Sequence, residues 1–286
     1  MKFLKYHALG NDYLVLDSGK NDSPMISLTS EKVRKICNRN FGLGADGILV
    51  GTKYESEKHF NLKIFNPDGS IAEKSGNGLR IFARFLWDQN YVNDSQFNII
   101  TSGGLATAIV ENSGSNVSVE MGKVSFQSDQ IPVAGEIREV LNEKIDIDGQ
   151  QLKFCAVTIG NPHCVVLNGE QTPEEVRRIG PFIENHQNFP NRTNVQFLEV
   201  IDRGKIRIEI WERGAGYTLA SGTSSCAAAA VAHRIGLCER NIVVLMPGGK
   251  IDIKVNEDYS ISMRGPVTRV GRMSLDPECL DQETSG

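Results

Sequence analysis

No stretch of this chain approaches the 18 or so consecutive apolar residues of a transmembrane helix, so no membrane span is expected. Its first residues, MKFLKYHALGNDYLVLD, lack the apolar core and small-residue cleavage site of a signal peptide, and read instead as strand, turn, strand. The six cysteines are Cys37, Cys155, Cys164, Cys226, Cys238 and Cys279, and no two of them stand at CxxC spacing. None is close in sequence to a histidine in the manner of a zinc site, so reduced thiols packed as small hydrophobes are expected, and no metal. A net charge of −4 gives no basic footprint for nucleic acid. These absences leave a cytoplasmic enzyme or small-molecule-binding protein that needs neither a nucleic acid nor a membrane.

What is present is an ordinary globular composition, 40% hydrophobic and 23% charged, in 286 residues, which suffices for two compact domains or one large one. Alternating or β-branched runs recur along the whole length. They include Tyr13–Leu16, Ile48–Val50, Phe60–Phe65, Phe97–Ile100, Val117–Met121, Phe154–Ile159, Cys164–Leu167 and Lys205–Trp211, and each is bounded by turn-forming residues. A β-rich protein with few long helices is expected. One helix is predicted over Leu79–Gln89, where Leu79, Phe82, Ala83, Leu86 and Trp87 form an apolar stripe. A second covers Cys226–Ile235, alanine-rich and apolar nearly all round, hence buried. A shorter helix follows Thr29, with Ser30 as its expected cap and Val33 and Ile36 facing inward. Another follows Thr172, with Pro173 in its first turn and Glu174 and Glu175 near the positive helix end.

The two prominent helices are entered alike. Ser75-Gly76-Asn77 and Ser221-Gly222-Thr223 stand 146 residues apart, and each follows a strand and a short loop. Nine residues before each serine is a polar side chain at a strand end, Asn66 in one case and Glu212 in the other. The repeat suggests two copies of one β-rich unit around a central helix. Their expected bounds are 1–120, rejoined by 266–286, and 121–265. A helix N-terminus offers free N–H groups and a positive dipole end to an anion, and glycine lets a ligand approach the backbone. Two such ends together would cradle one carboxylate. A lone Ser-Gly entry is more simply an ordinary serine N-cap, and it is the matched pair that favours a site. Further polar clusters are expected on turns: Gly10-Asn11-Asp12, Gly160-Asn161-Pro162-His163, Arg192-Thr193-Asn194 and Glu212–Gly216. Arg213, between a strand and a glycine-rich loop, fits bidentate carboxylate binding, with a surface ion pair as the alternative.

At these residues the chain resembles the diaminopimelate epimerase family, within the wider class of cofactor-independent amino-acid racemases and epimerases. The likeness rests on HALGNDY, FNPDGSIAEKSGNGLRIFARF, IGNPHCVV, RTNVQF and WERGAGYTLASGTSSCAAAA, in that order over nearly the whole length. It implies an α/β fold (α+β type) of two pseudo-symmetric halves, a cleft between them, an amino-acid substrate and no cofactor. Family members bind a substrate with two amino-acid head groups, hold one and invert the other. Motif by motif, the held head would meet Asn66, Asn161, Asn194, Glu212 and Arg213, with Asn11 as a further binding position. The reacting carboxylate would lie on the N–H groups of Gly76, Asn77, Gly222 and Thr223. His163 and Glu212 would be the ionisable neighbours of the reacting centre. Members of the family often pair, so a homodimer is among the expectations.

One departure is chemical. The family's two catalytic residues are cysteines, and their positions here are held by Ser75 and Ser221. Tyr217 stands where Glu is usual, Ile81 replaces a frequent Cys, and Ser224-Ser225 replaces a usual Gly-Ala. Cys226 cannot stand in for Ser221, because five helical residues turn about 500°, some 140° off the original face. A thiol with pKa ~8.5 costs about 2 kcal/mol to ionise at pH 7. A hydroxyl, taking water's ~15.7 as proxy, costs about 12. The difference of about 10 kcal/mol corresponds to some seven powers of ten in rate unless a neighbouring base compensates, and His163, Glu212 and Tyr217 are the candidates. Three readings remain open at this point: an epimerase using Ser75 and Ser221 as acid and base, a related isomerase or dehydratase for another amino acid, and a binding protein or disabled enzyme that no longer turns over.

Overall fold

The computed structural model describes residues 1–17, 28–53, 59–93, 95–167, 169 and 171–281. In chain order, the elements begin with β1 (Lys2–Ala8), β2 (Asn11–Asp17), α1 (Ser30–Cys37), β3 (Ile48–Lys53), β4 (His59–Phe65) and β5 (Ile71–Ala72). They continue with α2 (Gly76–Asp88), β6 (Phe97–Thr101), β7 (Gly104–Glu111), β8 (Asn116–Lys123), β9 (Glu143–Ile147) and β10 (Gln150–Thr158). Next come β11 (Pro162–Val166), α3 (Pro173–Glu184), β12 (Asn194–Asp202), β13 (Lys205–Glu212), β14 (Gly216–Thr218) and α4 (Gly222–Arg234). The chain closes with β15 (Asn241–Met246), β16 (Gly249–Val255), β17 (Ser260–Pro266), β18 (Thr268–Ser274) and α5 (Glu278–Asp281). Two compact units result: unit 1 is Met1–Val119 plus the chain from Pro266 onward, and unit 2 is Glu120–Gly265.

Each unit has the same strand plan. In unit 1, β18 and β2 flank β1 antiparallel, β2 lies parallel to β3, and β3 lies antiparallel to β4. Strand β4 then carries the short β5 antiparallel and β6 parallel, and β7 and β8 follow as antiparallel neighbours. In unit 2, β9 and β11 flank β10 antiparallel, β11 lies parallel to β12, and β12 lies antiparallel to β13. Strand β13 carries β14 antiparallel and β15 parallel, and β16 and β17 follow antiparallel. A parallel pair needs a crossover, and each unit places a helix in both of its crossovers: α1 and α2 in the first, α3 and α4 in the second. These are two pseudo-symmetric β-rich halves, each built around a central helix.

Burial follows the period of each element. Strands such as β6 (Phe97–Thr101) and β16 alternate buried and open residues, the mark of a sheet packed on one face. Strand β11 is buried throughout. Helix α4 is buried from Gly222 to Ala232, and its run Ala227–Ala230 lets the surrounding strands approach closely. Helix α1 closes an apolar cluster in unit 1, where Val33 and Ile36 meet Phe3, Leu14, Ile48 and Leu275. In unit 2, Val176, Ile179 and Ile183 of α3 do the same against Phe154, Val166, Val195 and Phe197. The six cysteines are all free thiols, five of them buried. No helix among the described residues is long and apolar enough to cross a membrane.

Three expectations need correction. Thr29, not Ser30, caps α1: its side chain accepts from the Lys32 N–H at 3.3 Å, while the Ser30 hydroxyl donates to the Gly69 carbonyl at 3.0 Å. Helices α2 and α4 start at Gly76 and Gly222, before the apolar stripes begin, because their first turns are made of glycine and small polar residues. Asn11, His163, Asn194 and Glu212 lie within strands rather than on turns: Asn11 and Asn194 each open one, Glu212 closes one, and His163 sits inside β11. Strands β5, β7, β9, β12 and β14–β18 lie beyond the runs singled out from the sequence.

Candidate active site

The two serine entries are built alike to within a few degrees. Ser75 caps α2 with φ −139° and ψ 119°, and Ser221 caps α4 with φ −142° and ψ 125°. The Ser75 Oγ accepts the N–H of Gly78 at 3.0 Å, and the Ser221 Oγ accepts that of Ser224 at 3.3 Å. Each cap thus satisfies the third helical N–H. The first two positions, Gly76 and Asn77 or Gly222 and Thr223, have N–H groups that the helical ladder itself cannot pair. Neither first turn carries an acidic residue, so the positive end of each helix is left without an internal anion. This arrangement suits a carboxylate ligand.

In unit 1 the strand start of β2 is tied to the helix end. Asn77 Nδ2 donates to Asn11 Oδ1 at 3.0 Å, and the buried Arg80 donates to Asn77 Oδ1 at 2.5 Å. Asn11 in turn donates to Asp46 Oδ2 at 2.9 Å. Beside it Asp12 receives Arg39 at 2.7 Å and Lys5 at 2.8 Å. Burial alone would raise the Asp12 pKa, but the bonds from Arg39 and Lys5 outweigh it and hold the carboxyl below its usual range. Two residues after Asn11, the Tyr13 hydroxyl lies 3.3 Å from Ser75 Oγ. Asn66 sits in the turn after β4, and its amide donates to Ser70 Oγ at 2.9 Å.

In unit 2 three separate motifs converge. Asn194 is buried, donates from Nδ2 to the Pro162 carbonyl at 2.9 Å, and accepts the Arg213 backbone N–H on Oδ1 at 3.0 Å. One side chain therefore pins the Glu212-Arg213 corner against the Asn161–His163 strand. The Arg213 side chain is exposed, with Nη1 donating to the Asn191 carbonyl at 3.1 Å. His163 is wholly buried, and burial pushes its pKa down to about 3, with the nearby Arg213 charge acting the same way and the Gln196 amide opposing. The ring is therefore neutral near pH 7, and it donates from Nε2 to Asn161 Oδ1 at 2.9 Å. Such a histidine is a fixed hydrogen-bonding group and a poor proton acceptor.

From His163 the polar chain continues inward. Gln196 Nε2 donates to Ser224 Oγ at 3.0 Å, and Ser224 N–H meets the capping hydroxyl of Ser221. His163 Nδ1 and Gln196 Oε1 are both buried without a hydrogen-bond partner. Turning the Gln196 amide over would offer its N–H to the ring and its oxygen to the Ser224 hydroxyl. Ser225 bonds back to the Ser221 carbonyl at 2.8 Å, and the Thr223 hydroxyl stands 3.5 Å from that of Ser221.

Tyr217 is not poised to serve Ser221 as a base. Its hydroxyl donates to Glu209 Oε2 at 2.6 Å and its ring packs under Arg177. Burial and the Glu209 bond both raise its pKa. Sequence reasoning also passed over Glu184, the last residue of α3. This buried carboxylate accepts Trp211 Nε1 at 2.6 Å, the Gly214 N–H at 2.9 Å and the Arg192 guanidinium, so it shapes the loop that carries Arg213. Its partners are 8 to 30 residues away in sequence, and no local pattern marks it.

A family model described as diaminopimelate epimerase matches residues 3–127 and 155–270. The chain belongs to the diaminopimelate epimerase family. It is 55% identical over 284 residues, 99% of each chain, to a protein named diaminopimelate epimerase 2 from Nostoc sp. (strain PCC 7120 / SAG 25.82 / UTEX 2576). To the protein named diaminopimelate epimerase 1 from the same Nostoc strain it is 37% identical over 275 residues, 94% of this chain and 98% of the relative. Among solved structures, a hydroxyproline epimerase from Agrobacterium vitis superposes with a TM-score of 0.70 at 15% identity, over 98% of this chain and 93% of the other, a likeness of fold alone. As a member of the diaminopimelate epimerase family the chain falls in the class of cofactor-independent amino-acid racemases and epimerases.

Proposed function

We propose that this chain is an isomerase of the diaminopimelate epimerase type, inverting one α-carbon of LL-diaminopimelate to give the meso form in the supply of lysine and cell-wall precursors. Ser75 and Ser221 would be its acid/base pair. In that reading one serine oxygen takes the α-proton, and the electron pair left on Cα spreads into the α-carboxylate. The N–H groups of Gly76, Asn77, Gly222 and Thr223 would stabilise the charge that grows on the carboxylate oxygens. The second serine O–H then returns a proton to the opposite face. Arg213 would take the carboxylate of the held head group, with Asn66, Asn161 and Glu212 completing its hydrogen bonds and Asn11 supporting Asn77. Free thiols throughout favour a reducing, cytoplasmic setting.

The observation that carries this reading is the joined cluster of unit 2. His163 bonds Asn161, and Asn194 bonds the Pro162 carbonyl between them and the Arg213 N–H, so three separate stretches are joined, which supports a site for an amino-acid head group. The test is α-proton exchange: LL-diaminopimelate incubated with the protein in heavy water gains deuterium at Cα. Absence of exchange at high protein concentration would refute the proposal.

The two hydroxyls in place of thiols favour a second reading, a protein that binds the amino acid without turning it over. Ser75→Cys with Ser221→Cys separates the two. If the wild type is inert and the double variant exchanges, the site is intact and only its acid/base pair was lost. If the wild type exchanges, the double variant is expected to be faster by several powers of ten, within the bound of about seven set by the thiol and hydroxyl acidities.

A further inference from the structure

The two units can be matched residue by residue at the strand that precedes each first crossover. In unit 1 the turn glycine Gly10, with φ 92°, is followed by Asn11, and Tyr13 comes two residues later in β2. In unit 2 Gly160, with φ 101°, is followed by Asn161, and His163 comes two residues later in β11. The parallel registers agree: Val15 faces Leu49 in unit 1, and Val165 faces Gln196 in unit 2. Tyr13 and His163 are thus equivalent positions with different side chains. His163 turns to Asn161, whereas the Tyr13 hydroxyl lies 3.3 Å from Ser75 Oγ.

Tyr13 is held in that position by its surroundings. It is 6% exposed, and its ring lies against Gly47, where an added Cβ would come within 2.6 Å of the ring and would also strike the Phe65 carbonyl. The ring therefore has little freedom to swing away from Ser75. The hydroxyl geometry permits either oxygen to be the donor.

We propose that Tyr13 is the proton-relay partner of Ser75, acting through the serine to make its hydroxyl usable as an acid and a base. The inference rests on the epimerase reading above. When Ser75 protonates the carbanion, its O–H bond breaks and a C–H bond forms at Cα, while the Tyr13 proton passes to Ser75 Oγ. The electron pair of the Tyr13 O–H bond stays on the phenolate oxygen. In the reverse direction Ser75 Oγ takes the α-proton as its own proton returns to the phenolate. The charge never has to reside on an alkoxide. A phenol ionises near pH ~10, against ~15.7 for the water proxy of a hydroxyl, so the relay replaces a very weak acid with a moderate one. Because it acts through Ser75, Tyr13 is a positioning residue, and its counterpart His163 has no such role.

The test is Tyr13→Phe in the full chain, which keeps the ring over Gly47 and removes only the hydroxyl, with a thermal melt to confirm folding. Exchange of the LL-diaminopimelate α-proton in heavy water is followed over a range of substrate concentrations. The expected result is a loss of about 100-fold or more in kcat with KM within about threefold of wild type. The same substitution in a Ser75→Cys background is expected to cost less than about threefold, because a thiol needs no relay. Two outcomes overturn the relay alone: an active wild type with Tyr13→Phe within about threefold of it, or an equal loss in both backgrounds. A wild type without exchange, beside an active Ser75→Cys, Ser221→Cys variant, overturns the relay together with the epimerase reading of the natural chain.

Discussion

Unit 1 sets a tyrosine hydroxyl beside its capping serine, while unit 2 sets a buried neutral histidine at the matching strand position and turns it toward an asparagine. Similar contrasts run through the neighbouring positions. Gln196 bonds Ser224 in unit 2, whereas in unit 1 the equivalent Leu49 lies against Gly78, where a new Cβ would meet its methyl at 3.3 Å. Asn66 directly follows β4, and Glu212 closes β13. The features the units share belong to the backbone: the serine caps, the positive-φ glycines, the order of parallel and antiparallel strands. Their differences lie in the side chains aimed at the helix ends. A fold can be duplicated wholesale because its rules are local and repeat with the chain, whereas the side chains set on that shared backbone are free to diverge.

The largest measurable consequence of that divergence lies in the acid stability of unit 2. The His163 pKa is about 3 in the folded protein, against about 6.5 for an ordinary histidine. Between those values the unfolded chain binds more protons at this site than the folded chain. Stability therefore rises with pH across the window, is complete above about 6.5, and is lost as pH falls toward 3. The shift corresponds to a contribution on the order of 5 kcal/mol over the whole window. Asp12 of unit 1 is depressed instead from an already low starting value, so its contribution is lost only below about pH 3.8. Urea midpoints of wild type and His163→Gln, followed from pH 7 to 4.5, are expected to converge as pH falls. A difference curve flat across that range would mean that the histidine is not buried neutral.

A second contrast concerns what holds the loop before each central helix. In unit 1 the exposed turn after β4 is closed by Asn66 N–H on the Ser70 carbonyl at 2.9 Å and by Ser70 on Asp68, while Ser30 and Arg34 of α1 donate to the Gly69 and Asp68 carbonyls. In unit 2 the loop after β13 relies on Glu184 from α3, whose removal strands the indole N–H of Trp211, the Gly214 N–H and Arg192 together. Glu184→Ala is expected to cost about 3 kcal/mol of stability and to weaken amino-acid binding through Arg213. Asp68→Ala, in an exposed turn, is expected to cost about 1 kcal/mol or less. Equal costs from chemical denaturation would remove the distinction between an exposed turn carboxylate and a buried one that anchors its loop from a neighbouring helix.

This contrast also explains how much was legible in the sequence. The serine caps and the Asn66 turn act through neighbours three or four residues away, so the chain spells them out. Glu184, Asp46, Arg39 and Gln196 act across 7 to 35 residues, and only the folded chain brings them to their partners. Tyr217 shows the reverse case. Its place beside a serine-bearing loop made it a candidate base, but pairing with Trp211 across β13 and β14 turns its hydroxyl to Glu209. Tyr13 was legible only as one member of a strand, because its partner Ser75 is 62 residues away.

The smallest effect probes the Gln196–Ser224 bond, which can be removed by rewriting unit 2 in the terms of unit 1. Gln196→Leu alone leaves the Ser224 hydroxyl without its buried donor, and Ser224→Gly alone leaves the Gln196 amide unpaired. Each is expected to cost about 1–2 kcal/mol. The double variant reproduces the Leu49 and Gly78 pairing, in which neither group needs a partner. Its cost is therefore expected to fall below the sum of the single costs by about 1 kcal/mol, read from urea midpoints. The Ser221 cap survives in every variant, because it is the Ser224 backbone N–H that meets Ser221 Oγ. The coupling thus reports the side-chain pair alone, and strict additivity would mean that the Gln196–Ser224 bond contributes nothing to the stability of unit 2.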